Sequence, residues 1–86
     1  MIFAAQIRAA RGLLQISQVE LSVESGLSLQ TIKNLEKDDE AIKKASLMTL
    51  EKIKSTLESK GVRFTFSKEK DESGKFLEIG VKLRTI

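Results

Sequence analysis

The sequence predicts a mostly α-helical fold, in which four helices are followed by a C-terminal β-hairpin. Two patterns lead to this prediction. Apolar residues recur at steps of three and four up to Leu57, which is the helical period, and they alternate with polar residues from Val62 onward, which is the period of a strand. Gly61 separates the two patterns. We therefore expect a helical domain over residues 1–60 and a hairpin appendage over residues 61–86.

The first two helices have clear sequence signals. The first is predicted over residues 3–14, where apolar residues follow one another at steps of four, three and four. Ser17, with Glu20 three residues later, forms the capping box that starts a helix. The second helix is therefore expected from about Gln18 to Ser25, and it should end at a left-handed Gly26.

Two further helices complete the helical part. Ser28 is expected to cap a third helix that ends near Lys37, and Ser46 is expected to start a fourth that ends at Gly61. Residues 38–45 break the helical period and predict a loop with room for one helical turn. The apolar stripe of the fourth helix consists of Leu47, Leu50, Ile53, Lys54 and Leu57, with Met48 at its margin.

The C-terminal segment alternates on both sides of a polar turn, "KDESGK". Its apolar face consists of Val62, Phe64, Phe66, Leu77, Ile79, Val81 and Leu83. An isolated hairpin is marginally stable in water, so this face must be covered. Either the fourth helix covers it, or the hairpin of a second subunit pairs with it through an exposed edge.

The composition excludes several kinds of site. The chain has no cysteine and no histidine, which removes disulfides, thiolate metal sites and the commonest general base. We therefore expect no catalytic residue, no metal, no cofactor and no small-molecule site, and we do not expect an enzyme. The net charge of +3 permits nucleic-acid binding. No apolar run could span a membrane and the N-terminus is a poor signal peptide, so a cytoplasmic protein is expected.

Residues 18–37 have the spacing of a helix-turn-helix motif, in which two short helices cross around a tight glycine turn. The motif needs an anchor in the first helix, a small residue at the crossing, a turn residue with positive φ, an apolar plug and two inward residues in the second helix. These requirements are met by Leu21, Ser22, Gly26, Leu27, Ile32 and Leu35. Ser25 is the imperfect position, because an apolar residue is usual there.

The stretch "IRAARGLLQISQVELSVESGLSLQTIKNLE" resembles the Xre/lambdoid-repressor family of helix-turn-helix DNA-binding proteins, of the Cro/C1 type. The resemblance covers most of residues 6–57 and implies a lambda-repressor-like helical domain. "GVRF" (61–64) and "GVKL" (80–83) resemble the tail of short bacterial members. The chain departs from the family after Glu36, where "EKDDE" replaces the usual glycine.

The resemblance implies that the second helix of the motif lies in the major groove, where glutamine and asparagine bond adenine and leucine contacts a thymine methyl. The residues expected to read bases are Ser28, Leu29, Gln30 and Asn34. The residues expected to contact phosphates are Gln18, Thr31, Lys33, Lys43 and Lys44. A solvated helix face is the alternative interpretation of the first set. In the second set, a capping partner is the alternative for Gln18, and a solvated charge run is the alternative for Lys43 and Lys44. The resemblance also implies a structural ion pair between Arg11 and Glu36.

The leading hypothesis is therefore sequence-specific binding of double-stranded DNA by a transcriptional repressor that acts as a homodimer through its hairpin. The alternative is an antitoxin-type or accessory protein whose hairpin binds a protein partner. A third class is an interaction module with a degenerate motif, which the acidic loop favours slightly.

Overall fold

The computed structural model describes the backbone of residues 2–71 and 74–83 and the side chains of residues 2–65 and 80–83. Within these ranges, helices precede a two-stranded antiparallel hairpin, which confirms the predicted architecture. The elements are α1 (Ala4–Leu14), α2 (Gln18–Ser25), α3 (Leu29–Lys37), α4 (Asp39–Lys44), α5 (Leu47–Ser59), β1 (Val62–Asp71) and β2 (Gly74–Leu83). None of the described helices is long and apolar enough to cross a membrane.

The short helix α4 occupies the segment in which the sequence predicted a loop with one helical turn. Asp38 ends α3 in an extended conformation and also caps α4, because its carboxylate accepts a hydrogen bond from the Ala41 amide at 3.1 Å. Acidic residues fill the first turn of α4 and lysines fill its last turn, which favours the helix dipole. The helical part therefore has five helices, and one residue connects α3 to α4.

The core is formed by the helices and the first strand together. Its largest fully buried side chains are Ile7, Leu21, Ile32, Ile53, Leu57 and Val62. Within the predicted stripe of α5, Ile53 and Leu57 are buried and Leu50 packs against the core, whereas Leu47 is 75% exposed. Leu47 is the first residue of α5, and it lines a groove together with Ile2, Leu50 and Lys54. Leu47 therefore belongs to the predicted apolar stripe without being buried.

The turn between α2 and α3 explains the unusual serines of the motif. Gly26 adopts a φ of 75°, which favours glycine. The Ser22 hydroxyl donates to the Leu27 carbonyl at 2.6 Å. Ser25 is buried, and its hydroxyl accepts from the Leu27 amide and donates to the Ser22 carbonyl. Both serines thus stabilise the turn through hydrogen bonds, whereas an apolar residue at the same position would stabilise it through packing.

The hairpin is attached to the helical part at its open end. Its register pairs Val62 with Leu83 and Phe64 with Val81. Val62 is buried in the core, and Phe64 and Val81 pack against the core. Gln6 of α1 donates through Nε2 to the carbonyls of Thr65 and Gly80 at 3.0 and 2.8 Å. This end of the hairpin is therefore part of the helical domain's core.

Candidate nucleic-acid interface

Helix α3 has one buried face and one exposed polar face. Ile32 and Leu35 point into the core, where both are almost fully buried. Ser28 caps the helix by accepting a hydrogen bond from the Thr31 amide at 3.1 Å, and its hydroxyl also lies 2.8 Å from Thr31 Oγ1. In the first turn of the helix, the Gln30 side chain is exposed, whereas Ile32 is buried. This arrangement leaves the polar face of α3 free to contact another molecule.

The four residues expected to read bases lie on or beside this exposed face. Ser28, Gln30 and Asn34 are exposed, and Leu29 is half-buried at the first position of the helix. Gln30 and Asn34 are four residues apart, and Gln30 Nε2 donates to Asn34 Oδ1 at 2.9 Å. The Ser28 hydroxyl is engaged in capping.

Two of the residues expected to contact phosphates, Thr31 and Lys44, line the same cleft. This open cleft, of about 480 Å³, lies between α3, α4 and the first turn of α5. Its wall includes Thr31 and Asn34 from α3, Lys44 from α4 and Thr49 from α5. It thus places hydroxyl, amide and ammonium groups next to the polar face of α3, together with the carboxylates of Asp38 and Glu40.

The other predicted phosphate contacts have different surroundings. Lys33 is exposed on α3. Lys43 lies 3.5 Å from Glu40 in an exposed ion pair. Gln18 is half-buried, and its Nε2 donates to Glu36 Oε1 at 3.3 Å. The Gln18 side chain is therefore already tied to α3 within the protein.

Glu36 is the centre of a hydrogen-bond network that connects α1, α2 and α3. Its carboxylate is 4% exposed and accepts from Arg11 Nε at 2.6 Å and from Arg11 Nη2 at 2.7 Å. Arg11 Nη1 also donates to the Ile16 carbonyl. The hydrogen bond to Glu36 raises the pKa of Arg11 above its ordinary value, although desolvation opposes this shift. The pair is bidentate, which fixes both distance and angle between α1 and α3.

Arg8 and Asp39 reinforce the position of α3, and sequence reasoning assigned them no such role. The Arg8 guanidinium donates to the backbone carbonyl of Glu36 in the last turn of α3. Asp39 Oδ1 accepts from the Ala4 amide at 2.8 Å, which ties α4 to the first turn of α1. The spacing of Arg8 and Arg11 was a visible signal, because residues three apart lie on one side of a helix.

Gln6 is a further structural residue that the sequence did not reveal. It is 2% exposed, and its Oε1 accepts from the Phe3 amide at 2.9 Å while its Nε2 binds the hairpin. An amide between the apolar positions Phe3 and Ile7 was the available signal. Its partners in the hairpin, however, lie 59 and 74 residues away and could not be inferred.

Each of the three acidic residues that follow α3 has a hydrogen-bond or ion-pair partner. Asp38 caps α4, Asp39 binds the first turn of α1, and Glu40 pairs with Lys43. These carboxylates are therefore engaged within the protein, although Asp38 and Glu40 still line the cleft.

The predicted dimer or partner face is divided by the fold. Val62 is 1% exposed, so it belongs to the core and is not available to a partner. Phe64 and Val81 are half-buried, and Leu83 is exposed. The side chains of Phe66, Leu77 and Ile79 lie outside the described residues, although the backbone register pairs Phe66 with Ile79. Among the described residues, no cluster of acidic side chains is arranged to hold a metal.

Comparison with known proteins gives one match. A family model described as Helix-turn-helix matches residues 7–60, which is more than half of the chain and extends from α1 to the end of α5. Searches of curated proteins and of solved structures returned no significant match.

Proposed function

The chain belongs to the Cro/C1-type helix-turn-helix family of DNA-binding transcription regulators, and from this premise we propose that it binds specific sequences of double-stranded DNA as a homodimeric repressor in the cytoplasm. The observation that supports this most is the exposed polar face of α3. Two amides and a leucine lie there, beside a cleft that carries phosphate-binding groups.

In this proposal α3 enters the major groove, and Ser28, Leu29, Gln30 and Asn34 approach the base edges. Thr31 and Lys44 hold the DNA backbone in the cleft, and Lys33 and Lys43 add charge at its sides. Gln18 contacts a phosphate from the N-terminus of α2 while it keeps its bond to Glu36. Residues 1–60 thus bind DNA, and residues 61–86 contact the second subunit.

The proposed dimer uses the part of the hairpin beyond the pair formed by Thr65 and Gly80. The open end is fixed to the core, so the remaining strand pairs extend a sheet whose edges are suited to a second hairpin. Light scattering of the full chain in the micromolar range should give the mass of a dimer. A strict monomer would reject the homodimer and favour the alternative, in which the hairpin of an antitoxin-type protein binds a different protein.

The experiment for DNA binding is selection from a random double-stranded library at near-physiological salt. The wild-type chain should enrich a palindrome with half-sites about 34 Å apart. Gln30→Ala should relax the sequence preference, whereas Lys52→Ala should not, because Lys52 is exposed on α5 and outside the cleft. Binding without any preferred sequence would reduce the interaction to electrostatic attraction and reject the proposal.

A further inference from the structure

We infer that Asn34 positions Gln30 and does not read a base itself. In each half-site, Gln30 then selects one adenine, while Asn34 contacts a phosphate and thereby fixes the register of α3 on the DNA. This inference rests on the proposed function and assigns different roles to the Gln30 and Asn34 side chains. It starts from the hydrogen bond between Gln30 Nε2 and Asn34 Oδ1, which is 2.9 Å long.

The hydrogen bond connects two side chains that would otherwise be free to rotate. Both residues are exposed, and a spacing of four places them one turn apart on the same side of α3. Gln30 lies nearer the capped end, where the helix approaches the groove, and Asn34 lies one turn back. The hydrogen bond to Asn34 therefore holds the Gln30 amide group in one of its two possible orientations.

The remaining donors and acceptors fit an adenine on one side and a phosphate on the other. A carboxamide has two N–H donors and one carbonyl acceptor. Gln30 uses one N–H for Asn34, which leaves one N–H for adenine N7 and Oε1 for the adenine amino group. Asn34 directs its carbonyl toward Gln30, which leaves its two N–H donors for an acceptor such as a phosphate oxygen.

The position of Asn34 favours the phosphate. It is one of the residues that line the cleft between α3, α4 and α5, together with Thr31 and Lys44. These neighbours supply a hydroxyl and an ammonium group, which are phosphate-binding groups without sequence preference. Gln30 does not line this cleft. Asn34 thus lies at the boundary between the backbone contact and the base contact, and its hydrogen bond connects the two.

Selection from a random DNA library with four proteins tests this inference: wild type, Gln30→Ala, Asn34→Ala and Asn34→Asp. Gln30→Ala and Asn34→Ala should both relax the same adenine, by roughly 5- to 150-fold. Asn34→Asp retains the acceptor for Gln30 Nε2 but loses the N–H donors. It should therefore bind every sequence more weakly and still prefer that adenine.

The outcomes separate this inference from the proposed function. If Asn34→Ala relaxes a different base position from Gln30→Ala, Asn34 reads its own base, and the inference is overturned while sequence-specific binding stands. If Asn34→Asp loses the adenine preference as completely as Asn34→Ala, the carbonyl of Asn34 does not orient Gln30, and the inference is again overturned. If the wild-type chain selects no sequence, the proposed function fails, and with it any reading role for Gln30.

A second measurement tests the hydrogen bond without DNA. In nuclear magnetic resonance spectra of the free protein, the Gln30 side-chain amide protons should shift on Asn34→Ala and return toward their wild-type position in Asn34→Asp. The backbone spectrum outside α3 should stay unchanged, because both side chains are exposed. Identical Gln30 amide signals in all three proteins would contradict the inference, whatever the DNA selection gives.

Discussion

Glu36 determines how α3 is attached to the rest of the protein. A buried carboxylate is costly unless charged and polar donors surround it. Here Arg11 supplies two donors and Gln18 a third, while Arg8 binds the carbonyl of the same residue. A single residue of α3 is thus bound by α1 and α2 together. Because the pKa of Arg11 is raised, its charge and this contribution to stability persist below its ordinary pKa and are lost only as the pH rises through the higher folded value.

We expect Arg11→Met to destabilise the protein by about 3 kcal/mol, because it leaves the Glu36 carboxylate buried without its charged partner. This is the lower end of the usual range for a broken buried pair, since Arg11 retains 22% exposure. Urea denaturation measures the loss. The double variant Arg11→Met/Glu36→Leu should recover most of it, because no uncompensated charge remains. A loss below about 1 kcal/mol in the single variant would show that Glu36 is easily rehydrated.

Gln6 gives a second prediction at the scale of one residue. Gln6→Leu keeps the volume of the side chain but removes its bonds to the Phe3 amide and to the Thr65 and Gly80 carbonyls. We expect a loss of about 1–3 kcal/mol in urea denaturation. Amide hydrogen exchange in β1 and β2 should accelerate, since the hairpin loses its anchor on α1. As a control, Gln30→Leu on the exposed face of α3 should change stability by less than about 0.5 kcal/mol. Equal effects of both substitutions would mean that Gln6 does not anchor the hairpin.

At the scale of the element, the sequence predicted helices whose caps are local. Ser17, Ser28 and Ser46 each accept a hydrogen bond from an amide in the first turn of the helix that follows. These bonds span three residues, so the sequence alone can indicate them. The sequence did not predict α4 as a separate helix, because its six residues are too few to display an apolar period. The sequence also did not reveal that Leu47 is exposed, because the helical period indicates the face on which a residue lies but not where the neighbouring elements end.

Two glycines allow backbone conformation to be tested separately from packing. A Cβ added to Gly12 or to Gly26 would meet no atom within 4 Å. Gly12 lies within α1, whereas Gly26 has a φ of 75°. We therefore expect Gly12→Ala to stabilise the protein by about 0.5–1 kcal/mol through helix propensity, and Gly26→Ala to destabilise it by about 1–2 kcal/mol through left-handed strain. Thermal denaturation should shift in opposite directions. A shift of the same sign for both would refute the assigned end of α2.

At the scale of the whole molecule, α1 connects the hairpin to α3. Gln6 holds the hairpin, Arg8 and Arg11 hold α3, and the Ala4 amide holds Asp39 of α4. The ion pair of Arg11 and Glu36 entered our expectations through the family resemblance, whereas the contacts of Gln6 and Asp39 had no local signal. They join residues that are distant along the chain, and which side chains meet there depends on the packed fold.

The charged groups around the cleft lead to a prediction that separates two neighbouring lysines. Lys44 lines the cleft beside α3, whereas Lys43 pairs with Glu40 and does not line it. If Lys44 contacts a phosphate, Lys44→Ala should reduce the slope of log affinity against log salt by about one for each bound protomer, and therefore by about two for a dimer. Lys43→Ala removes the same formal charge, so it is the matched control and should reduce the slope by less than half of that.

Fluorescence anisotropy with one duplex over a series of salt concentrations gives both slopes. Equal slopes for the two variants would mean that the protein attracts DNA through its net charge and that the cleft does not hold a phosphate.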